Sequence, residues 1–232
     1  MLLVWVALGV AIRRAGYAEV LDGREARALW LGLAGLTVWI AASSWLALTG
    51  VYLRPWALRL APLLVGFLVP TLSIAILLRW SAAFRTAAQS LVLWLPLGWL
   101  IGIHGIRITA LGTILKYADG ELPGHFILPV GVPDFLIGLT APPLAWLAAR
   151  ADPPPRHLLF AWNLTGALIF VYAGFALHFS MPGPLRLFEG GPTTEAIFRF
   201  PLVLVPTFLV PFFVGAHVAT LWRLRRKAGP ST

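Results

Sequence analysis

Long apolar stretches, each bounded by charged or turn-forming residues, dominate the pattern along this chain of 232 residues. A helix needs about 20 consecutive apolar residues to cross the hydrocarbon core of a bilayer. Six stretches reach that length, at 28–50, 60–79, 87–106, 126–149, 158–178 and 199–222. The pattern therefore predicts at least six membrane-spanning helices.

A seventh stretch, residues 1–12, is apolar but would extend only about 18 Å as a helix. It ends at Arg13 and Arg14, and it lacks the basic start and the small-residue cleavage site of a signal peptide. Either this helix is short and tilted, or further residues precede it. The sequence thus predicts a single all-α transmembrane domain over residues 1–232, a bundle of about seven helices, or six if the first does not span.

Composition agrees with a membrane protein. Hydrophobic residues make up 59% of the chain, charged residues 12%, and the mean hydropathy is +0.84. Soluble domains are typically about half apolar and a quarter charged, so we expect the lipid bilayer to cover the excess apolar surface. Cysteine is absent, which excludes disulfides, cysteine-ligated zinc, iron–sulfur clusters and thiol catalysis.

The net charge of +9 is better explained by basic loops of a membrane protein than by binding to nucleic acid. Twelve basic residues fall on one side of the predicted segments and six on the other. The first side holds Arg13, Arg14, Arg24, Arg27, Arg79, Arg85, Arg150, Arg156, Arg223, Arg225, Arg226 and Lys227; the second holds Arg54, Arg59, Arg107, Lys116, Arg186 and Arg199. By the positive-inside rule the first side is cytoplasmic.

The most informative positions are polar residues inside apolar segments, since each costs free energy in lipid unless it has a partner. Asp134 shares a helix face with Gly131 and Gly138, and small residues let a neighbouring helix approach closely. Its carboxylate is expected to point into protein, towards Arg107 or His104. Two interpretations remain open: an ion, proton or substrate site, and an ion pair that only packs helices.

Further expectations follow from spacing and from the positions of the segments. The predicted segments place His104, Arg107 and Asp134 in the outer half of the membrane, as a polar pocket. Asn163 is a further candidate for that pocket or for a hydrogen bond between helices. Gly98, Gly102 and Gly105 form a stripe that should pack against another helix, and residues 108–117 are expected to form a short helix on the outer surface.

Motifs for catalysis and nucleotide binding are not found: there is no Walker phosphate loop, HExxH, GxSxG or TVGYG, so we predict a non-enzymatic protein. The two lysines lie outside the predicted segments, which rejects a retinal Schiff base. A haem b held by His104 and His178 remains an alternative, because two imidazoles between helices suffice. A copper or zinc site of His104, His125 and His178 has less support.

Two stretches resemble a group of small uncharacterised bacterial membrane proteins. They are LPGHFILPVGVPDFLIGLTAPPLAWL, from residue 122, and HFSMPGPLRLFEGGPTTEAIFRFPLVLVPTFLVPFFVGAHVATLWRLRR, from residue 178. Together with arginine outnumbering lysine sixteen to two, the resemblance implies a multi-pass protein of the bacterial cytoplasmic membrane. It implies no mechanism.

Three functions are compatible with these observations. The first is binding, transport or reception of a small molecule or ion through the pocket around Asp134, Arg107 and His104. The second is a haem-linked redox role that uses His104 and His178. The third is a structural or accessory subunit whose polar residues only pack helices.

The C-terminus is predicted to be cytoplasmic, because Arg223, Arg225, Arg226 and Lys227 directly follow the last segment. A C-terminal fusion to a reporter that is active only outside the cytoplasm should give no signal, whereas the same chain fused to a cytoplasmic reporter should be active. The reverse pair of results would refute this orientation.

Overall fold

Helices account for most of the described chain. The computed structural model describes residues 2–56, 60 and 62–226, so Arg59 and Lys227 of the charge balance lie outside the described residues. Within them we distinguish eight longer helices and no strand. They are α1 Leu2–Tyr17, α2 Gly23–Leu48, α3 Leu64–Trp80, α4 Ala82–Trp94, α5 Leu97–Ala118, α6 Gly124–Arg150, α7 Arg156–Phe179 and α8 Val205–Arg225.

Five helices, α2 and α5 to α8, are long and apolar enough to cross a membrane. A sixth span is added if α3 and α4 count as one, although a bend of 104° separates them. With 16 residues α1 falls short of that length. The all-α, multi-span prediction is confirmed at this level, with five and up to six candidate spans among the described residues rather than seven.

The predicted segment 87–106 is wrong, because the chain breaks inside it. Ser81 caps α4 by accepting a hydrogen bond from the backbone N–H of Phe84. The helix stops at Leu95, which has an extended ψ of 136°, since the ring of Pro96 disfavours helical backbone at the residue before it. The span instead runs from Leu97 to Ala118, and Arg107 is the eleventh of its 22 residues.

Residues 108–117 are helical, as expected, but they continue α5 rather than form a separate surface helix. A 3₁₀ stretch, Ile103–Ala110, joins the two α-helical parts of α5 without a break. The apolar face of residues 108–117 therefore belongs to the second half of a span.

Within the part of the chain that the structure describes, three π-helical turns each end two residues before a proline. Pro62–Leu68 precedes Pro70, Ile127–Gly131 precedes Pro133, and Val205–Leu209 precedes Pro211. Proline lacks an N–H group, and its ring clashes with the carbonyl four residues earlier. A wider turn at that point moves the carbonyl away from the ring, so these prolines adjust the spans without ending them.

The bundle has a basic end and an opposite end. At the basic end Arg156 donates to the carbonyl oxygen of Leu224 at 2.7 Å, and Arg223 donates to those of Val92 and Leu95. A core that includes Ala15, Leu21, Leu29 and Leu91 joins α1, α2 and α4 there. At the opposite end Tyr52, Leu122, Phe126, Met181 and Phe198 form a second core.

Helices α5 and α6 pack closely through glycine, which confirms the expected role of both glycine sets. A Cβ on Gly98 would lie 2.7 Å from the carbonyl oxygen of Ala145, and Gly102 and Gly105 face Ala145 and Pro142. On the other helix, a Cβ on Gly138 would meet the backbone nitrogen of Ile108 and the carbonyl carbon of Arg107. Backbone contact of this kind admits no side chain.

Replacement of Gly138 by alanine should destabilise the protein by about 1–3 kcal/mol, because the clash is with backbone that cannot move aside. The matched control is Gly174→Ala in α7, where a Cβ would meet nothing within 4 Å. There, alanine should be neutral or stabilising by up to about 1 kcal/mol, since it favours helix over glycine. Thermal unfolding in detergent measures both, and equal effects at the two sites would contradict the packing.

Candidate functional site

Four consecutive spans each contribute one polar side chain to a buried cluster, which we call the central network. Its members are Arg107 of α5, Asp134 of α6, Asn163 of α7 and His217 of α8. Arg107 is 2% exposed, and Asn163 and His217 are fully buried. Such residues are rare in membrane spans unless they are paired, so their convergence marks this place as the candidate site.

Arg107 and Asp134 form the ion pair at the centre of the network. Nε of Arg107 donates to Oδ1 of Asp134 at 2.7 Å, and Nη2 lies 2.5 Å from the same oxygen. The arginine side chain is fully buried, while that of aspartate keeps 18% of its exposure. Both contacts use Oδ1, so the second carboxylate oxygen has no donor among the described residues.

Aromatic rings and a carbonyl complete the surroundings of Arg107. The guanidinium carbon lies 4.4 Å from the ring centroid of Phe170 and 5.7 Å from that of Phe213. Nη2 also points at the carbonyl oxygen of Gly166, at 3.5 Å. A Cβ on Gly166 would lie 2.5 Å from the His217 ring and 3.3 Å from Nη1 of Arg107, so only glycine leaves room for this arrangement.

The hydrogen-bond partners of His217 determine its tautomer. Nη1 of Arg107 lies 2.8 Å from Nε2, and a guanidinium can only donate, so Nε2 must accept. Nδ1 lies 2.9 Å from Oδ1 of Asn163 and therefore donates its proton. Asn163 in turn donates from Nδ2 to the carbonyl oxygen of Leu159 at 2.8 Å. The network is thus a directed chain that needs a neutral His217.

His104 lies beside the network without bonding to it. Its ring stacks on that of His217 with centroids 4.0 Å apart and planes 22° apart, and Trp162 and Phe213 enclose it. The residue is fully buried, and neither ring nitrogen has a hydrogen-bond partner among the described residues. Such a group costs about 1–3 kcal/mol, so His104 is not held there by hydrogen bonding.

The central network lies near the middle of the spans, not in the outer half as expected. Arg107 is residue 11 of 22 in its helix, Asp134 residue 11 of 27, Asn163 residue 8 of 24 and His217 residue 13 of 21. The expected depth was wrong because the break at Pro96 moves Arg107 from the end of a span to its centre.

Irregular backbone surrounds this site. The 3₁₀ stretch Ile103–Ala110 carries both His104 and Arg107, and the π turn Ile127–Gly131 ends three residues before Asp134. A further π turn, Val205–Leu209, begins the helix that carries His217. Non-α turns within membrane helices are frequent at functional sites.

The haem alternative is not supported by the geometry. Trp162 contacts His104, and His178 follows 16 residues later on the same helix, which is about 24 Å along its axis. Two axial ligands of one iron must face each other across a single atom. The copper or zinc site fails as well, because no three histidine or carboxylate side chains of the described residues could hold a metal ion.

His125 and His178 lie near the opposite end of the bundle. Nε2 of His125 lies 2.7 Å from the hydroxyl oxygen of Ser180, and its ring stacks on Phe188. His178 lines a cavity of about 30 Å³ with Met181 and Arg186. These contacts join the 180–188 loop to α6 and α7.

Sequence reasoning missed His217 as a member of the site. The predicted segment 199–222 puts His217 nearer the inner side, away from the expected outer pocket. In the structure α8 starts at Val205, which places His217 beside Arg107. The available signal was its presence in an apolar segment, where every polar side chain requires a partner.

Five and up to six helices of the described residues are long and apolar enough to cross a membrane, which indicates an α-helical, multi-pass membrane protein. The family model described as Domain of unknown function (DUF8737) matches residues 61–225. The chain belongs to this family. Neither the curated proteins nor the solved structures provided a match.

Replacing Asp134 by asparagine should destabilise the protein by about 3–5 kcal/mol, because Arg107 is then left as a buried charge without a counter-charge. The second substitution Arg107→Gln should recover a large part of that loss. A double-mutant cycle of unfolding free energies measures the coupling. Additive single effects would show that the two residues do not act as a pair.

Proposed function

We propose that the protein is a non-enzymatic membrane transporter that binds a small cation or a proton at Asp134. The observation that carries this proposal is the depth, hydrogen bonding and exposure of the Asp134 carboxylate. It lies at mid-span, commits one oxygen to Arg107, and retains 18% exposure beside a fully buried partner. Ionisable residues at such depth mark ion and proton pathways in membrane proteins.

The charge of the ligand follows from which groups are free. The contacts of Arg107 already involve Asp134, His217 and the carbonyl of Gly166, so an anion would have to displace them. The second oxygen of Asp134 can accept a proton, a metal cation or an ammonium group directly. The geometry therefore favours a cationic ligand.

Loss of the contact between Asp134 and Arg107 provides a means of coupling cation binding to helix movement. When a cation neutralises Asp134, the attraction between Asp134 and Arg107 falls, while Arg107 keeps His217 and the ring of Phe170. The electrostatic link between α6 and α5 is then weakened, and the π turn at Ile127–Gly131 is the nearest irregular backbone within α6. Transporters use such interrupted helices at mid-membrane sites.

A structural role is the second candidate, and one observation favours it. The central network is tightly packed, since the His217 ring contacts Gly166 and stacks on His104, and it lines neither the cavity of about 30 Å³ nor that of about 430 Å³. In that case the ion pair and the His217–Asn163 chain only hold α5 to α8 in register, and the protein is an accessory subunit. If the Arg107–Asp134 pair is only structural, added cations should not change the melting temperature through it.

We also propose that the basic end faces the cytoplasm of a bacterial cell and that the inner membrane is its location. With Arg107 inside a span, five basic residues remain on the opposite side against twelve at the basic end, which strengthens the charge asymmetry.

The test compares the wild type with a variant carrying Arg107→Gln and Asp134→Asn, which lacks both charges. Its matched control carries Lys116→Gln and Glu121→Gln, which removes the exposed ion pair at 2.5 Å in α5 and the following loop. Melting temperatures are measured with Na⁺, K⁺ or methylammonium, with ionic strength held constant by N-methylglucamine. Proton flux is measured in proteoliposomes that contain a pH-sensitive dye.

A ligand of Asp134 should stabilise the wild type and the control by about 2.7 kcal/mol at 100 times its dissociation constant. For a proton, both should show flux that the variant without the central pair lacks. If that variant matches the wild type in every cation and in proton flux, the structural role replaces the proposed one.

A further inference from the structure

A cavity of about 430 Å³ opens at the basic end of the bundle, about two turns along α5 from the central network. Its walls come from the end of α1 and from the junction of α4 and α5. They include Val10, Ala11, Arg14, Trp94, Leu95 and Trp99. The volume lies in the range of small-molecule sites, and the lining is apolar except for the arginine.

Helix α4 places this cavity at the surface of the membrane. Ala87 and Leu91 are buried in the core shared with α1 and α2, whereas Arg85, Thr86 and Gln89 are exposed. A helix with one apolar and one polar face lies along the interface, and the 104° bend after α3 turns α4 in that direction. The cavity begins where α4 ends.

The two tryptophans that line the cavity support its position at the surface of the membrane. Trp94 is 37% exposed and Trp99 is 38% exposed, and their indole rings favour the level of the lipid headgroups. Below that level the lining continues with Val10 and Ala11 of α1. The cavity thus offers a polar rim and an apolar wall.

Arginine side chains make the rim of the cavity positively charged. Arg14 lines the cavity, and Arg13 precedes it with an exposed side chain. Arg223 reaches the same place from α8, since its Nη1 donates to the carbonyl oxygen of Leu95, a cavity residue. The carboxylate of Asp22, five residues after the end of α1, accepts from the backbone N–H of Glu25 in capping α2.

We propose that this cavity binds an anionic phospholipid of the leaflet at the basic end. Its phosphate lies on Arg14, with Arg13 and Arg223 adding positive potential, and an acyl chain follows Val10, Trp94 and Trp99. Basic pockets between membrane helices bind lipid headgroups in this way. An anionic lipid fits better than a soluble anion because most of the wall is apolar. The inference is independent of the proposed cation site.

Binding is measured by native mass spectrometry of the full chain with dioleoyl phosphatidylglycerol and dioleoyl phosphatidylcholine. The variant is Arg14→Gln, and the matched control is Arg24→Gln, an exposed arginine in the first turn of α2. The wild type should retain the anionic lipid preferentially. Arg14→Gln should weaken that retention about fivefold, the effect of one basic residue near an anionic surface, and Arg24→Gln should leave it unchanged.

A second measurement does not depend on Arg14. In vesicles, brominated phosphatidylglycerol should quench tryptophan fluorescence more than brominated phosphatidylcholine, and Trp94→Phe with Trp99→Phe should reduce that difference. Equal losses in Arg14→Gln and Arg24→Gln, or equal retention of the two lipids, would overturn the proposal. So would displacement of the lipid by millimolar glycerol 3-phosphate, since that result would make the site one for a soluble phosphate.

Discussion

The ion pair between Arg107 and Asp134 is the interaction on which the centre of this protein depends. A guanidinium in hydrocarbon needs a counter-charge and acceptors for its N–H groups. Here those come from three neighbouring helices: a carboxylate on α6, an imidazole on α8 and a carbonyl on α7. Because each partner is on a different span, satisfying one side chain aligns four helices.

Proline and glycine make that alignment sterically feasible. Gly138 and Gly166 remove side chains where α6 and α7 approach Arg107. Pro133 removes an N–H group just before Asp134, and the preceding π turn adjusts the backbone. These residues do not bind anything themselves, but they allow the charged groups to meet at hydrogen-bond distance.

The protein therefore has polar groups at two levels, in the central network at mid-span and along α4 at the basic end. The central network occupies mid-span, and the amphipathic helix α4 turns the chain along the basic end before α5 carries it back to Arg107. Trp99 of the proposed lipid site and Arg107 lie eight residues apart on α5, about 12 Å along one helix. A lipid at one place and a ligand at the other would act on the same element.

Sequence determined the properties that follow from composition and local spacing: an all-α membrane protein, the approximate spans from 126 to 222, and the small-residue faces around Asp134 and Gly98. Each depends on apolar length or helical period, which a single segment contains. Tertiary structure decided which polar residues meet. The partner of Arg107 at His217 is 110 residues away, and no local pattern encodes that distance. The depth of the polar residues along the spans was also decided by the tertiary structure. The break at Pro96 shifts α5 by about ten residues relative to the predicted segment, so the expected outer pocket is a network at the centre of the bundle.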